Sequence, residues 1–240
     1  MIYRELTEQE YKDAEDRILY EANHLLVVDK RAGEIVQADM TRDETISDLY
    51  KSFIAMRDSK PGSVFVGIPH RLDRPVSGIV VLAKTSKALS RLNAMFRDGQ
   101  VHKFYWALVC AAPPEDAGEL SCYLVRNEQQ NKSYVFRGDP SRRKDAKLAK
   151  LRYWLKNTTD RYYLLEVELL TGRHHQIRCQ LADMGCCIKG DLKYGAPRSN
   201  PDGGICLHAR RIEFIHPVKK TPMVIEAPVP QSWKVILNKR

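Results

Sequence analysis

The feature that most limits this chain is the shape of its apolar runs. They are short, rich in Val, Ile, Leu and aromatic residues, and cut by turn residues. ILYE and HLLVVDK flank Ala22-Asn23, and EIVQA follows Ala32-Gly33. VFVG, GIVVLA, VHKFYWALVC, KLRYWLK, YYLLEVELL, ICLHARRIEFIHP and MVIEAPVP come later. Runs of this length and make-up predict strands. Few helices interrupt them. Thr7 and Glu10 form a T-x-x-E box that starts a short helix. In TRDETISDLYKSFIAM, the residues Ile46, Leu49, Tyr50, Phe53 and Ile54 recur at helical spacing. SKALSRLNAMFRDG turns Leu89, Leu92 and Phe96 inward and stops at Gly99. HHQIRCQLADM buries Ile177, Leu181 and Met184 and ends at Gly185. Many short strands with few interleaved helices predict an α+β fold, a largely antiparallel or mixed sheet flanked by helices and loops. Neither G-x-G-x-x-G nor G-x-x-x-x-G-K-[ST] occurs, which argues against a parallel nucleotide-binding fold.

The signals are weaker between 111 and 145, where Pro113-Pro114 precedes a broken hairpin, and 186–204 reads as a long loop. With 240 residues, 43% of them apolar, the chain can build a real core in one large domain or two small ones. No apolar run approaches the ~18–20 residues of a membrane span. The acidic N-terminus lacks the apolar stretch of a secretory signal, so a cytoplasmic protein is expected. The six cysteines contain no CxxC pair, and the adjacent Cys186 and Cys187 suit neither a zinc knuckle nor an ordinary disulfide. They read as free thiols packed as small hydrophobes.

The net charge is +9, and it is unevenly placed. Residues 1–18 hold three basic and six acidic side chains, whereas residues 137–156 hold eight basic and two acidic. Residues 70–105 hold seven basic and two acidic. Such a surface suits an extended anion, most simply nucleic acid, though a basic domain without such a partner has the same composition.

Three stretches hold reactive groups. In HRLDRPVSG, Asp73 stands between Arg71 and Arg74. It is either a paired surface charge or a carboxylate kept ionised by its neighbours, able to attack a sugar C1′ or to act as a base. In KFYWALV, strand alternation puts Lys103, Tyr105, Ala107 and Val109 on one face and Phe104, Trp106 and Leu108 on the other, the second face reading as core. Tyr105 is then free to stack on an unpaired base and to use its phenol oxygen, or else edges the core. In LLTGRHHQIR, a turn at Gly172 leads into a helix whose start suits a phosphate. Arg173, Gln176 and Arg178 lie beside or away from its buried stripe, and the planar fork of Arg178 suits a carboxylate or phosphate. His174 and His175 are adjacent rather than four apart, which argues against a metal pair.

HRLDRPVSG, KFYWALV, TGRHHQIR and ICLHARRIEF, in this order and spacing, resemble the RluA family of RNA pseudouridine synthases, and ILYEANHLLVVDKRAGEIVQAD resembles that family's opening strands. The likeness covers roughly residues 18 to 230. It implies the pseudouridine synthase fold and isomerisation of uridine to pseudouridine in ribosomal or transfer RNA, with no cofactor, metal or ATP. It implies that Asp73 is the nucleophile, that Tyr105 stacks on the uracil and serves removal of the C5 proton, and that Arg178 pairs with the aspartate. Arg71 falls on the arginine associated with the gap left by the flipped nucleotide. Arg74, Lys103, Arg173, His175 and Gln176 are expected on the RNA-binding surface. Residues 1–17 form an acidic extension too short for the small RNA-binding domain many relatives carry, and 18–240 form the catalytic domain. A monomer is the default. The chain departs from the family pattern at Arg31, where proline is common, at Val76, where threonine is usual, and at His174, which replaces a small hydroxyl residue. Two other classes stand against this reading. One is an RNA-binding protein without turnover. The other is a glycosidic hydrolase using Asp73, which lacks an evident second carboxylate among Asp98, Glu166 and Asp191.

Overall fold

The computed structural model describes residues 3–38, 42–59 and 62–237. The chain forms two compact units, Met1–Val101 with Arg211–Ala227, and His102–Arg210 with Pro228–Arg240.

In the first unit, α1 (Glu8–Asp16) starts as its sequence dictates: the Thr7 side chain accepts from the Glu10 N–H, and the Glu10 side chain accepts from the Thr7 N–H. Strands β1 (Ile18–Glu21) and β2 (Leu25–Lys30) pair antiparallel, and β2 pairs antiparallel with β3 (Ser77–Ala83) from Leu25↔Ala83 to Lys30↔Gly78. Both faces of β2 and β3 are buried, so their sequences read as continuous apolar runs rather than alternations. Helix α2 (Ile46–Arg57) is capped by Thr45, and α3 (Ser86–Arg97) by Thr85.

Two expected strands are absent. EIVQA makes a single parallel bridge, Ile35↔Thr45, and VFVG a single antiparallel bridge, Gly67↔Ala83. Their apolar residues Ile35, Val36, Val64 and Val66 are buried, but as plugs in the core rather than as ladder rungs. Burial and strand pairing leave the same apolar signature over four or five residues. Thr41 of the expected second helix lies outside the described residues.

In the second unit, β4 (His102–Val109), β5 (Ala117–Asn127), β6 (Lys132–Phe136), β7 (Lys147–Thr158) and β8 (Tyr163–Leu169) lie in the order β4-β8-β7-β5-β6, all neighbours antiparallel. Strand β9 (Leu207–Ile215) begins in this unit and ends in the first, where β10 (Pro222–Glu226) pairs with it from Pro222↔Ile215 to Glu226↔Arg211. A last helix, α5 (Gln231–Leu237), buries Trp233. The α+β fold expected from the strand-rich sequence is the one observed.

Helix α4 (Gln176–Asp183) starts later than its periodicity suggests. His175 takes left-handed backbone angles (φ 52°), so both histidines precede the helix. It is also buried nearly all round: Gln176, Arg178 and Gln180 are as covered as Ile177 and Leu181, while Met184 is only half-buried. The expected one-sided apolar stripe is therefore corrected. Cys179 packs with Leu124, Ala149 and Tyr194, and the polar side chains serve the backbone around them: Gln180 Nε2 donates to Leu120 O and Ala149 O at 3.2 and 3.3 Å. Gly185 (φ 88°) closes the helix. Its N–H reaches Ala182 O and that of Cys186 reaches Leu181 O, the paired bonds of a Schellman end.

Candidate active site

The HRLDRPVSG segment forms a loop that runs directly into β3. His70 fixes its start: Nε2 accepts from the Val81 N–H at 2.9 Å, and the ring stacks on Phe96 with centroids 4.6 Å apart. Leu72 and Val76 are buried beneath the loop, and the Val76 N–H donates to Asp73 O at 3.0 Å. Gly78 has φ 109°, a conformation that costs any side chain strain. Asp73 is half-buried, Arg71 is exposed, and Arg74 reaches Asp43 at 2.5 Å.

Under this loop lies Lys30, the last residue of β2, fully buried. Its Nζ donates to Arg31 O at 2.9 Å, Glu34 O at 2.8 Å and Arg74 O at 3.1 Å. Arg74 O also accepts from the Gly33 N–H at 2.8 Å. One ammonium thus ties the KRAG turn to the residue that follows Asp73. Burial lowers the Lys30 pKa to about 8, while the Glu34 and Asp73 carboxylates act to raise it. From sequence, KRAG reads only as a turn. The signal was there in LLVVDK, an apolar strand that ends on lysine without a break. Arg31 also has a reason to differ from proline, since its N–H donates to Glu34 Oε2 at 2.8 Å, a bond proline lacks.

On β4, the expected split into a core face and an open face does not hold, since Leu108 of the expected core face is buried but so is most of the other face. Tyr105, Ala107 and Val109 are buried, whereas Phe104 and Trp106 are half-buried. The Trp106 Nε1 lies 3.4 Å from Glu166 Oε2, and the Arg210 guanidinium sits 5.2 Å from the indole centroid. Alternation gives which residues share a face, but not which face the rest of the chain covers. Lys103 is half-buried on the Tyr105 face, and desolvation lowers its pKa.

Helix α4 carries Arg178, 5% exposed, whose Nε and Nη2 donate to Asp191 Oδ2 and Oδ1 at 2.7 and 2.9 Å. Asp191 is itself 1% exposed. The guanidinium also lies 5.1 Å from the Tyr194 ring centroid. Asp191 and Tyr194 belong to one short segment, which contributes two groups that hold Arg178. The Tyr194 hydroxyl lies 3.1 Å from His175 Nδ1 and accepts from the Ser133 N–H at 2.9 Å. Desolvation, with Arg178 next in effect, pushes the His175 pKa down to about 2, so the ring is neutral. Gln176 is internal as well: Oε1 accepts from Thr171 Oγ1 and the Arg173 N–H at 2.7 and 3.0 Å, and Nε2 donates to Lys150 O at 3.0 Å. Arg173 is exposed, with Nε donating to Leu148 O at 2.8 Å. His174 stacks on His175 at 3.8 Å and bonds Ser133 and Asn131. Among the described residues, no group of three or more His, Cys, Asp or Glu could hold a metal ion, and the cysteines are free thiols. No helix among them is long and apolar enough to cross a membrane.

The first unit therefore carries the candidate carboxylate with Arg71 and Arg74. The second carries Lys103, Tyr105, Arg173, His175, Gln176 and Arg178. The sequence does not show the contacts that Lys30 and Asp191 make, and Asp191 stands there only among the candidate second carboxylates of a hydrolase.

The sequence profile described as RNA pseudouridylate synthase matches residues 24–183, a span that contains the Asp73 loop, β4 and α4. The chain belongs to the RNA pseudouridylate synthase family. The enzyme is an isomerase, and three relatives place it further. It is 31% identical over 234 residues to the ribosomal large subunit pseudouridine synthase C of Vibrio cholerae, covering 95% of this chain and 70% of that one. It is 30% identical over 236 residues to the ribosomal large subunit pseudouridine synthase D of Xanthomonas campestris, covering 92% and 68%. The solved structure of human RNA pseudouridylate synthase domain containing 4 superimposes with a TM-score of 0.78 over 95% of both chains at 24% identity, a match of fold. In this pseudouridylate synthase, Arg178, His175 and Gln176 sit in polar, closely bonded surroundings, as residues that must keep a fixed orientation require.

Proposed function

We propose that this protein converts specific uridines of RNA to pseudouridine, with Asp73 as nucleophile. Ribosomal RNA is the favoured substrate, because relatives of about 30% identity are named for the large ribosomal subunit; transfer RNA is the other candidate. The observation that carries the assignment of Asp73 is its loop, a carboxylate-bearing turn anchored through Arg74 O by a fully buried lysine, inside the span matched to the family. The target uridine leaves its stack, at a cost of roughly a few kcal/mol. Asp73 breaks the N1–C1′ bond by attack at C1′ or by removing the C2′ proton. The uracil turns, C5 bonds to C1′, and the C5 proton leaves through the Tyr105 oxygen or a water. Arg178 supplies the positive partner of the aspartate, and Asp191 and Tyr194 hold its fork. Arg71, Arg74, Lys103 and Arg173 face the RNA. His175 and Gln176 contribute by shaping the turn that presents Arg173. The reaction draws on no cofactor or metal. Residues 18–240 act as the catalytic domain, in a cytoplasmic monomer.

The test is a map of carbodiimide-dependent reverse-transcription stops in RNA from cells with and without the gene. A stop that vanishes, and returns with the wild-type protein but not with Asp73→Asn, is the expected result. Return of the stop with Asp73→Asn removes Asp73 from the chemistry. Loss of no site favours an RNA-binding protein without turnover.

A further inference from the structure

Lys103 stands at the start of β4, two residues before Tyr105. Its strand neighbour in register is the last residue of β8, because Phe104 pairs with Glu168. The chain then runs from β8 into the Thr171-Gly172-Arg173 turn, which brings Gly172 beside Lys103: a Cβ on Gly172 would stand 3.8 Å from Lys103 Nζ. The lysine is half-buried, and among the described residues it has no hydrogen-bond or ion-pair partner. Each buried cation among the described residues, by contrast, is held by an acceptor. Lys30 has three carbonyls, Arg178 has Asp191, and Arg17 has Glu34 at 2.8 Å. Desolvation lowers its pKa. A cation drawn partly out of water without an anion is a cost to the folded chain. Chains keep such a group where an incoming anion completes it.

We infer that Lys103 and the Gly172 turn form a subsite for one phosphodiester of the RNA, next to the nucleotide that Tyr105 contacts. This rests on the proposed function. Positions i and i+2 of a strand share a face and lie about 6.6–6.8 Å apart, so a phosphate on Lys103 falls within a nucleotide's reach of a base on Tyr105. The compact ammonium acts as a point charge that needs no fixed approach direction, unlike a guanidinium fork.

The subsite predicts that one substitution moves stability and affinity in opposite directions. Lys103→Met keeps the length of the side chain and removes the charge. Without RNA, its Tm should exceed that of the wild type. With unmodified large-subunit ribosomal RNA transcribed in vitro, its affinity near 100 mM salt should fall about ten-fold. The slope of log K against log salt should become shallower by about 0.7–1, one phosphate's worth. Lys103→Arg should keep most of the slope. An unchanged slope in Lys103→Met overturns the subsite, as does a fall in Tm, which would mark the lysine as structural. If the wild type itself shows no salt-dependent binding and no pseudouridine formation, the functional reading fails first, and the two failures are told apart by that control.

Discussion

His175 shows how far a single side chain can depart from its apparent part. Two histidines beside an arginine look like a surface for phosphate, yet His175 is 7% exposed, left-handed in backbone and bonded to Tyr194. With its pKa near 2 when folded and about 6.5 when unfolded, it takes up a proton more readily in the unfolded chain. Its contribution to stability is therefore complete above pH 6.5 and is lost as the pH falls below that value. Between pH 7 and 4.5 the loss is on the order of 2–3 kcal/mol. Asp29, raised to about 6 by burial, works the other way, since the folded chain holds its proton more tightly between the unfolded carboxylate value and 6. Urea melts across this range should show a steeper fall for the wild type than for His175→Asn, in which Asp29 is unchanged. Equal slopes would rule the histidine out as the cause. At this scale, Asp73, Tyr105 and Arg178 could be singled out as candidates because they stand in motifs. Lys30 and Asp191 were not, because burial and pairing are properties of the folded chain. A lysine after an apolar run and an aspartate in a glycine-rich loop look the same whether solvated or enclosed.

At the scale of elements, α4 is the most informative. Its end was legible because Gly185 is a backbone requirement written into one residue. Its start was not, because nothing in HHQ marks the left-handed turn at His175. The Gly185 requirement is separable from packing: a Cβ there meets nothing within 4 Å. Gly185→Ala should thus cost only the strain of positive φ, about 1–2 kcal/mol, and lower Tm by roughly 2–8 °C. Calorimetry measures this directly, and an unchanged Tm would mean that the helix end rearranges. EIVQA and VFVG failed as strands for a different reason. Four or five apolar residues can be buried without a partner strand, and only hydrogen bonding separates the two outcomes. β2 and β3 were read correctly because each is long enough, and each is bounded by a turn.

For the whole molecule, charge is the property read most directly from sequence. A net +9 acting on a polyanion predicts binding that weakens by at least about ten-fold between 50 and 200 mM salt. Titration of unmodified ribosomal RNA at several salt concentrations checks this; a flat response would mean that phosphate contacts contribute little. The division into units was not legible, since no linker composition marks position 101 or 211. It has a consequence for how the protein is made. The first unit comprises residues 1–101 and 211–227, so its ladder of β9 and β10 does not exist until residue 226 has left the ribosome. The second unit, needing α5, is finished later still. A chain made only as far as residue 101 already carries Asp73 and Lys30 but lacks the strands that complete their unit. A gene cut at that boundary yields no intact half, so separate expression of the first unit calls for joining residue 101 to residue 211 through a linker rather than for truncation.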